Sequence, residues 1–207
     1  MTKTDLIKQA IQDAEAGKSK LKGSSAFGIP SFTGNKIRHL LNNLGAISTS
    51  YLEVGLHKAG TFISTLYRNE VRGIGVDNWS QFEQGGESKK LAYKHCKQFL
   101  PEEQYQILDK DCWTISPNEF SGIDMFNYDG NHAKELQKKA LTYFKPMMAD
   151  EFIYVCDDFS WDDVNEGTRE GIFAAGYTIK YQCQLGIFEQ NDGEGYWNGI
   201  LVALLKK

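Results

Sequence analysis

The residues of this chain best suited to chemistry are carboxylates, and they recur where apolar runs end. Tyr51-Leu-Glu-Val-Gly-Leu-His-Lys-Ala-Gly-Thr61 is followed by Gly73-Ile-Gly-Val-Asp-Asn-Trp79. The pattern predicts a buried strand, a glycine turn, a helix, a second strand and then an acid. An acid some twenty residues after such a turn, at the carboxyl end of the second strand, is placed to accept hydrogen bonds from two ribose hydroxyls. That acid is Asp77, and the segment reads as a nucleoside holder. Further along, Asp109 to Asp111, Asp129 and Asp157-Asp158 close other apolar runs. A scaffold has no need of so many acids along one edge, because they repel one another.

The elements that must position these groups follow from periodicity. Residues 2 to 16 have helical spacing, with Thr2 and Asp5 as an N-terminal cap and Gly17 as a stop. Residues 18 to 34 are rich in Gly, Ser and Lys and contain Pro30, which predicts a loop. Ile37, Leu40, Leu41 and Leu44 predict a second helix ending at Gly45. From there strands are expected near 51–54, 72–77, 104–108, 123–128, 151–157, 177–185 and 196–205. Helices are expected near 60–69, 87–99, 132–144 and 161–174. Such alternation implies an α/β protein with a parallel sheet covered on both faces. Only a turn-rich segment with Asn191-Asp-Gly193 separates the last two strands, so they should pair antiparallel as a hairpin. Ligands of open sheets of this kind sit beyond the carboxyl ends of the strands.

Bulk properties narrow the function classes. The chain has 207 residues, most simply one domain with a substantial core. A net charge of -4 argues against a nucleic-acid partner, since phosphate binding needs a concentrated basic surface. No apolar run has the length of a membrane span, and the first residues lack the apolar core of a signal peptide. Cys96, Cys112, Cys156 and Cys183 are scattered, which argues against a zinc knuckle or a disulfide frame and suits a cytoplasmic protein with free thiols. The sequence leaves room for a homo-oligomer.

In its ordered motifs the chain resembles class I S-adenosylmethionine-dependent methyltransferases. The branch it looks like holds macrocin-type sugar O-methyltransferases and cephalosporin-hydroxylase-like proteins. The matching residues are Glu53, Gly55, Lys58, Ala59, Gly60 and Thr61, then Val76-Asp-Asn-Trp79, Asp129-Gly-Asn-His132 and Asp157-Asp-Phe159. The resemblance implies a Rossmann-like, doubly wound sheet of seven strands in the order 3-2-1-4-5-7-6, the last antiparallel. It also implies a single methyltransferase domain, with residues 1–45 as a helical N-terminal cap on a core of residues 50–207. Ala59 stands where the family commonly has glycine, with Gly60 one place later. Leu56-His57 follows Gly55, so the Gly-x-Gly-x-x-Gly pattern is absent, which favours adenosylmethionine over a dinucleotide. The polar Phe126-Asn-Tyr128 leaves the end of the fourth strand open.

By the same resemblance, Glu53 and Gly55 line the methionine end of S-adenosylmethionine. The helix near Gly60 and Thr61 offers N–H groups to its carboxylate. Asn78 and Trp79 lie against the adenine, and Asp111 with Cys112 meets the adenine amino group. Asp129, Asp157 and Asp158 are expected to hold a divalent cation, magnesium by its preference for oxygen ligands. Such an ion would orient the hydroxyls of a small-molecule acceptor, such as a sugar, and lower the pKa of one. His132, three residues after Asp129, is expected to be the general base, because its ordinary pKa lies near neutral. The bland alternatives are a solvent-facing histidine, and a helix N-cap at Asp157-Asp158. Trp113 and Trp161 could line an acceptor pocket, whereas Trp197 reads as core of the final strand. Two other functions stay open: a non-catalytic nucleoside-binding or assembly module, and a dinucleotide-dependent oxidoreductase.

Overall fold

A computed structural model of the chain describes residues 1–81, 86–187 and 193–207. Seven strands form one sheet in the order β3-β2-β1-β4-β5-β7-β6. They are β1 (Ser50–Val54), β2 (Arg72–Asp77), β3 (Tyr105–Asp109), β4 (Ile123–Tyr128), β5 (Met148–Cys156), β6 (Thr178–Leu185) and β7 (Ile200–Lys206). The first five pair in parallel, and β7 runs antiparallel to both β5 and β6. Topology and the terminal hairpin agree with expectation. The hairpin turn expected at Asn191-Asp-Gly193 has its first two residues outside the described ones.

Helices α1 (Lys3–Glu15), α2 (Asn35–Gly45), α3 (Gly60–Leu66), α4 (Glu87–Phe99), α5 (Lys134–Tyr143) and α6 (Asp162–Ala174) cover the sheet. The two-residue period of a strand sends alternate side chains to opposite faces. Tyr51, Met125, Ile153, Val202 and Leu204 therefore meet α1 to α4 in one core, while Leu52, Val54, Phe126, Tyr154 and Leu201 meet α5 and α6 in another. α1 starts with the expected capping box between Thr2 and Asp5. The helices of the expected N-terminal cap, α1 and α2, are built into the first core through Ile7, Ile11, Ile37 and Leu44. Arg38 fixes the chain between them. It is 3% exposed and donates to the carbonyls of Ala26, Phe27 and Ile29 and to the Ser64 hydroxyl.

Several boundaries differ from expectation. β7 starts at Ile200, and residues 193–198 form turns, so Trp197 precedes the strand. α3 ends at Leu66, three residues early. α5 starts at Lys134, which leaves His132 in the loop before it rather than in its first turn. β4 runs to Tyr128 in spite of its polar end, because Asn127 is buried between strand neighbours. Among the described residues, no helix is long and apolar enough to cross a membrane.

Candidate active site

A cavity of about 600 Å³ opens at the carboxyl ends of the strands. Gly55, the first residue after β1, takes φ +96, and a Cβ there would lie 2.0 Å from the Asp129 carbonyl oxygen. Only glycine lets the loops after β1 and β4 approach so closely. At Gly60 a Cβ would meet that of Ser31 at 2.6 Å, so the loop through Ser31, Phe32 and Thr33 reaches the cavity wall. It is this loop, and not α1 or α2, that the N-terminal region brings to the site. Phe32 stacks on His57 with ring centroids 4.8 Å apart.

Asp77 is fixed before any ligand arrives. One carboxylate oxygen accepts from the backbone N–H groups of Leu56 at 2.8 Å and His57 at 2.9 Å, and the other from Trp79 at 2.7 Å. Asn78, Asp111, Cys112, Gly55, Gly60 and Thr61 line the same cavity, as expected of them. Asp111 accepts from the Trp113 N–H at 3.0 Å. Burial pushes the Cys112 thiol up to about 12, so it stays protonated.

Two residues expected at the cofactor are elsewhere. Glu53 is wholly buried behind the cavity wall, where it accepts from the Tyr51 hydroxyl and from Thr61 Oγ1 at 2.7 Å. Strand alternation puts it on the face of Tyr51, inside the first core. Burial raises its carboxyl to about 8. Trp79 turns away through a left-handed backbone, φ +48. Its ring packs near Tyr93 under Lys89, and its Nε1 donates to the His57 carbonyl at 3.0 Å.

At the other end of the cavity, Asp129, His132 and Asp158 present ligand atoms that all lie within 4.8 Å of one another. His132 Nε2 is 3.6 Å from Asp129 Oδ1 and 3.4 Å from Asp158 Oδ2. Burial raises the Asp129 carboxyl to about 6, with Asp158 adding repulsion and His132 opposing. Burial alone would lower the imidazole pKa, but Asp129 and Asp158 outweigh it and raise it. Asp157, expected as the third oxygen ligand, is not in this group. It is 8% exposed, and its Oδ1 accepts from the Asp158 N–H at 3.0 Å. Burial, then Asp129 and Asp158, drive its carboxyl well above the usual range. The acids are not a helix cap either, since α6 starts at Asp162 without a side-chain cap.

Asn198 was not anticipated from the sequence. It lines the cavity, has φ +57 and donates through Nδ2 to Asp158 Oδ1 at 2.7 Å. It lies forty residues beyond its partner, and only asparagine's tolerance of the left-handed region marks it. Trp113, Trp161 and Trp197 also line the cavity, and Trp161 meets the His132 ring edge-on at 5.2 Å.

No protein-family model matches this sequence, and no curated protein matches it. Solved structures do. A candidate caffeoyl-CoA O-methyltransferase from Staphylococcus aureus superposes with a TM-score of 0.65 at 14% identity, over 97% of this chain and 99% of that one. The chain has the Rossmann-like methyltransferase fold. The O-methyltransferase TomG from Streptomyces achromogenes, involved in tomaymycin synthesis and solved with S-adenosylmethionine, gives 0.58 at 16% identity over 100% and 92%. A candidate RNA methyltransferase from Pyrococcus horikoshii gives 0.60 at 11% identity over 100% and 98%. Neighbours this diverse share the methyltransferase scaffold and differ in acceptor, because the acceptor is met by loops.

Proposed function

We propose that this chain is an S-adenosylmethionine-dependent O-methyltransferase acting on a hydroxylated small molecule such as a sugar, with help from a divalent cation. The observation that carries this reading is one cavity with two unlike ends. One end has a pre-fixed Asp77 and close-packed glycines; the other has Asp129, His132 and Asp158.

In this reading Asp77 receives the ribose hydroxyls. Its three backbone donors hold the carboxylate in place, so no reorganisation accompanies binding. Asn78, Asp111 and Cys112 border the adenine, and Gly55 and Gly60 let the methionine portion lie against the backbone. The acceptor's oxygen attacks the methyl carbon in line with sulfur. The carbon–oxygen bond forms as the carbon–sulfur bond breaks, and the electron pair leaves on sulfur. The hydroxyl proton passes to the cluster, where the Asp129 carboxylate is placed to accept it. The donors present fit a cation, which Asp129, His132 and Asp158 would hold, and a bound ion would lower the pKa of the acceptor hydroxyl. Positioning supplies most of the rate, as a transfer between bound reactants requires. The tryptophans flanking the cluster offer flat apolar faces to a sugar ring.

Titration calorimetry with S-adenosylmethionine and S-adenosylhomocysteine tests the proposal. Saturable one-to-one binding of both is expected. Folded protein that gives no heat with either would refute it.

A further inference from the structure

We infer that Asp129, His132 and Asp158 form a centre for a borderline divalent transition ion, with His132 Nε2 as a direct ligand, in place of the all-oxygen magnesium site expected from the acids alone. The inference deepens the reading of this cavity as the transfer site and rests on it.

Distances come first. His132 Nε2 stands 3.6 Å and 3.4 Å from its two carboxylate oxygens, too far for good charge-assisted hydrogen bonds, which are about 2.8 Å long. Two ligands each about 2.1 Å from one ion, at a tetrahedral angle, are about 3.4 Å apart. Both spacings are those of ligands around an ion, and they are longer than a hydrogen-bonded ion pair would show.

The surroundings hold the three groups in this arrangement. Asp158 has a left-handed backbone, φ +53. Its N–H is tied to Asp157 Oδ1 and its Oδ1 to Asn198 Nδ2, which leaves Oδ2 turned to His132. Trp161 backs the imidazole. Asp157 thus acts as a brace through its Oδ1.

A second, independent observation points to a ligand. Asn198 is 4% exposed and lines this cavity, yet its Oδ1 has no hydrogen-bond partner among the described residues. A buried carbonyl oxygen left without a donor is destabilising. A cation beside Asp158, or a water bound to that cation, satisfies it.

The donor set then selects the metal. Magnesium dehydrates reluctantly and prefers oxygen, whereas imidazole suits zinc, cobalt and their neighbours. With its Nε2 on the ion, His132 is a ligand and the base is a carboxylate.

The test titrates chelator-treated full-length protein with cobalt, zinc and magnesium, by calorimetry and by the visible absorption of bound cobalt. Cobalt and zinc should bind about 100-fold tighter than magnesium. His132→Ala and His132→Gln should each weaken cobalt more than about tenfold, change its absorption, and leave magnesium affinity nearly as it was. Equal affinity for magnesium and cobalt, no binding of any divalent ion, or cobalt affinity and spectrum unchanged in both variants would overturn the inference. S-adenosylhomocysteine binding, measured on the same samples, separates the two claims. Cofactor binding without metal selectivity sinks this inference alone, and selective metal binding without cofactor binding sinks the methyltransferase reading.

Discussion

Replacing Glu53 by glutamine should remove most of one pH dependence from the stability of this protein. Glu53 has no solvent exposure. Its neighbours include Tyr51 and Thr61, both hydroxyl donors, and among the described residues no cation pairs with it. Burial therefore moves its carboxyl from an ordinary 4.5 to about 8. The folded-state pKa lies above the unfolded one, so between these values the native state holds a proton that the unfolded chain has lost. Stability must fall as pH rises through this window, and the loss levels off above about pH 8. The slope is about 1.4 kcal/mol per pH unit. Across roughly three units it amounts to ~4 kcal/mol, a large part of a typical 5–15 kcal/mol. Glutamine keeps the shape of the protonated acid and cannot ionise. Its amide can also reach for Asn127, whose Oδ1 is buried without a partner among the described residues. Urea unfolding of both proteins between pH 5 and pH 8.5 measures the difference. It should be near zero at pH 5 and grow to ~4 kcal/mol in favour of Glu53→Gln at pH 8. Asp129 and Asp157 are present in both proteins, so only their repulsion with Glu53 enters the difference. A difference that stays constant with pH would refute the reasoning and show that Glu53 is ionised and stably paired.

Other consequences can be checked independently. Gly55→Ala drives a Cβ into the Asp129 carbonyl at a positive φ and should cost more than ~2 kcal/mol; a fall in thermal midpoint of under about 2 °C would contradict that contact. Asp77→Ala strands three backbone N–H groups and should weaken S-adenosylhomocysteine about 100-fold or more by calorimetry; an unchanged Kd would remove Asp77 from the cofactor site. Arg38→Met leaves the carbonyls of Ala26, Phe27 and Ile29 without their donor. It should destabilise by ~2–3 kcal/mol and speed proteolysis within residues 18–34, and cleavage at the wild-type rate would show that the arginine does not hold that loop.

The strand and helix pattern, the terminal hairpin and much of the cavity rim were legible because each rests on local order. Apolar periodicity selects the element, and a strand end fixes which residues come next. That is why Gly55, Asp77, Asn78 and Asp111 all reached the cavity. One error was avoidable: Glu53 shares the parity of Tyr51, so the two-residue period already assigns it to the core. Trp79 was not avoidable, since the left-handed turn that reverses it is a loop conformation open to many sequences.

The sequence by itself determined the sheet, its helices and the edge on which acids gather, because these follow from hydrophobic spacing along a few residues at a time. Tertiary structure alone decided that Asp158 rather than its neighbour Asp157 groups with Asp129 and His132, and that Asn198 braces Asp158. Those choices depend on backbone handedness at single loop residues and on contacts between segments up to forty residues apart, which the linear order of side chains does not encode.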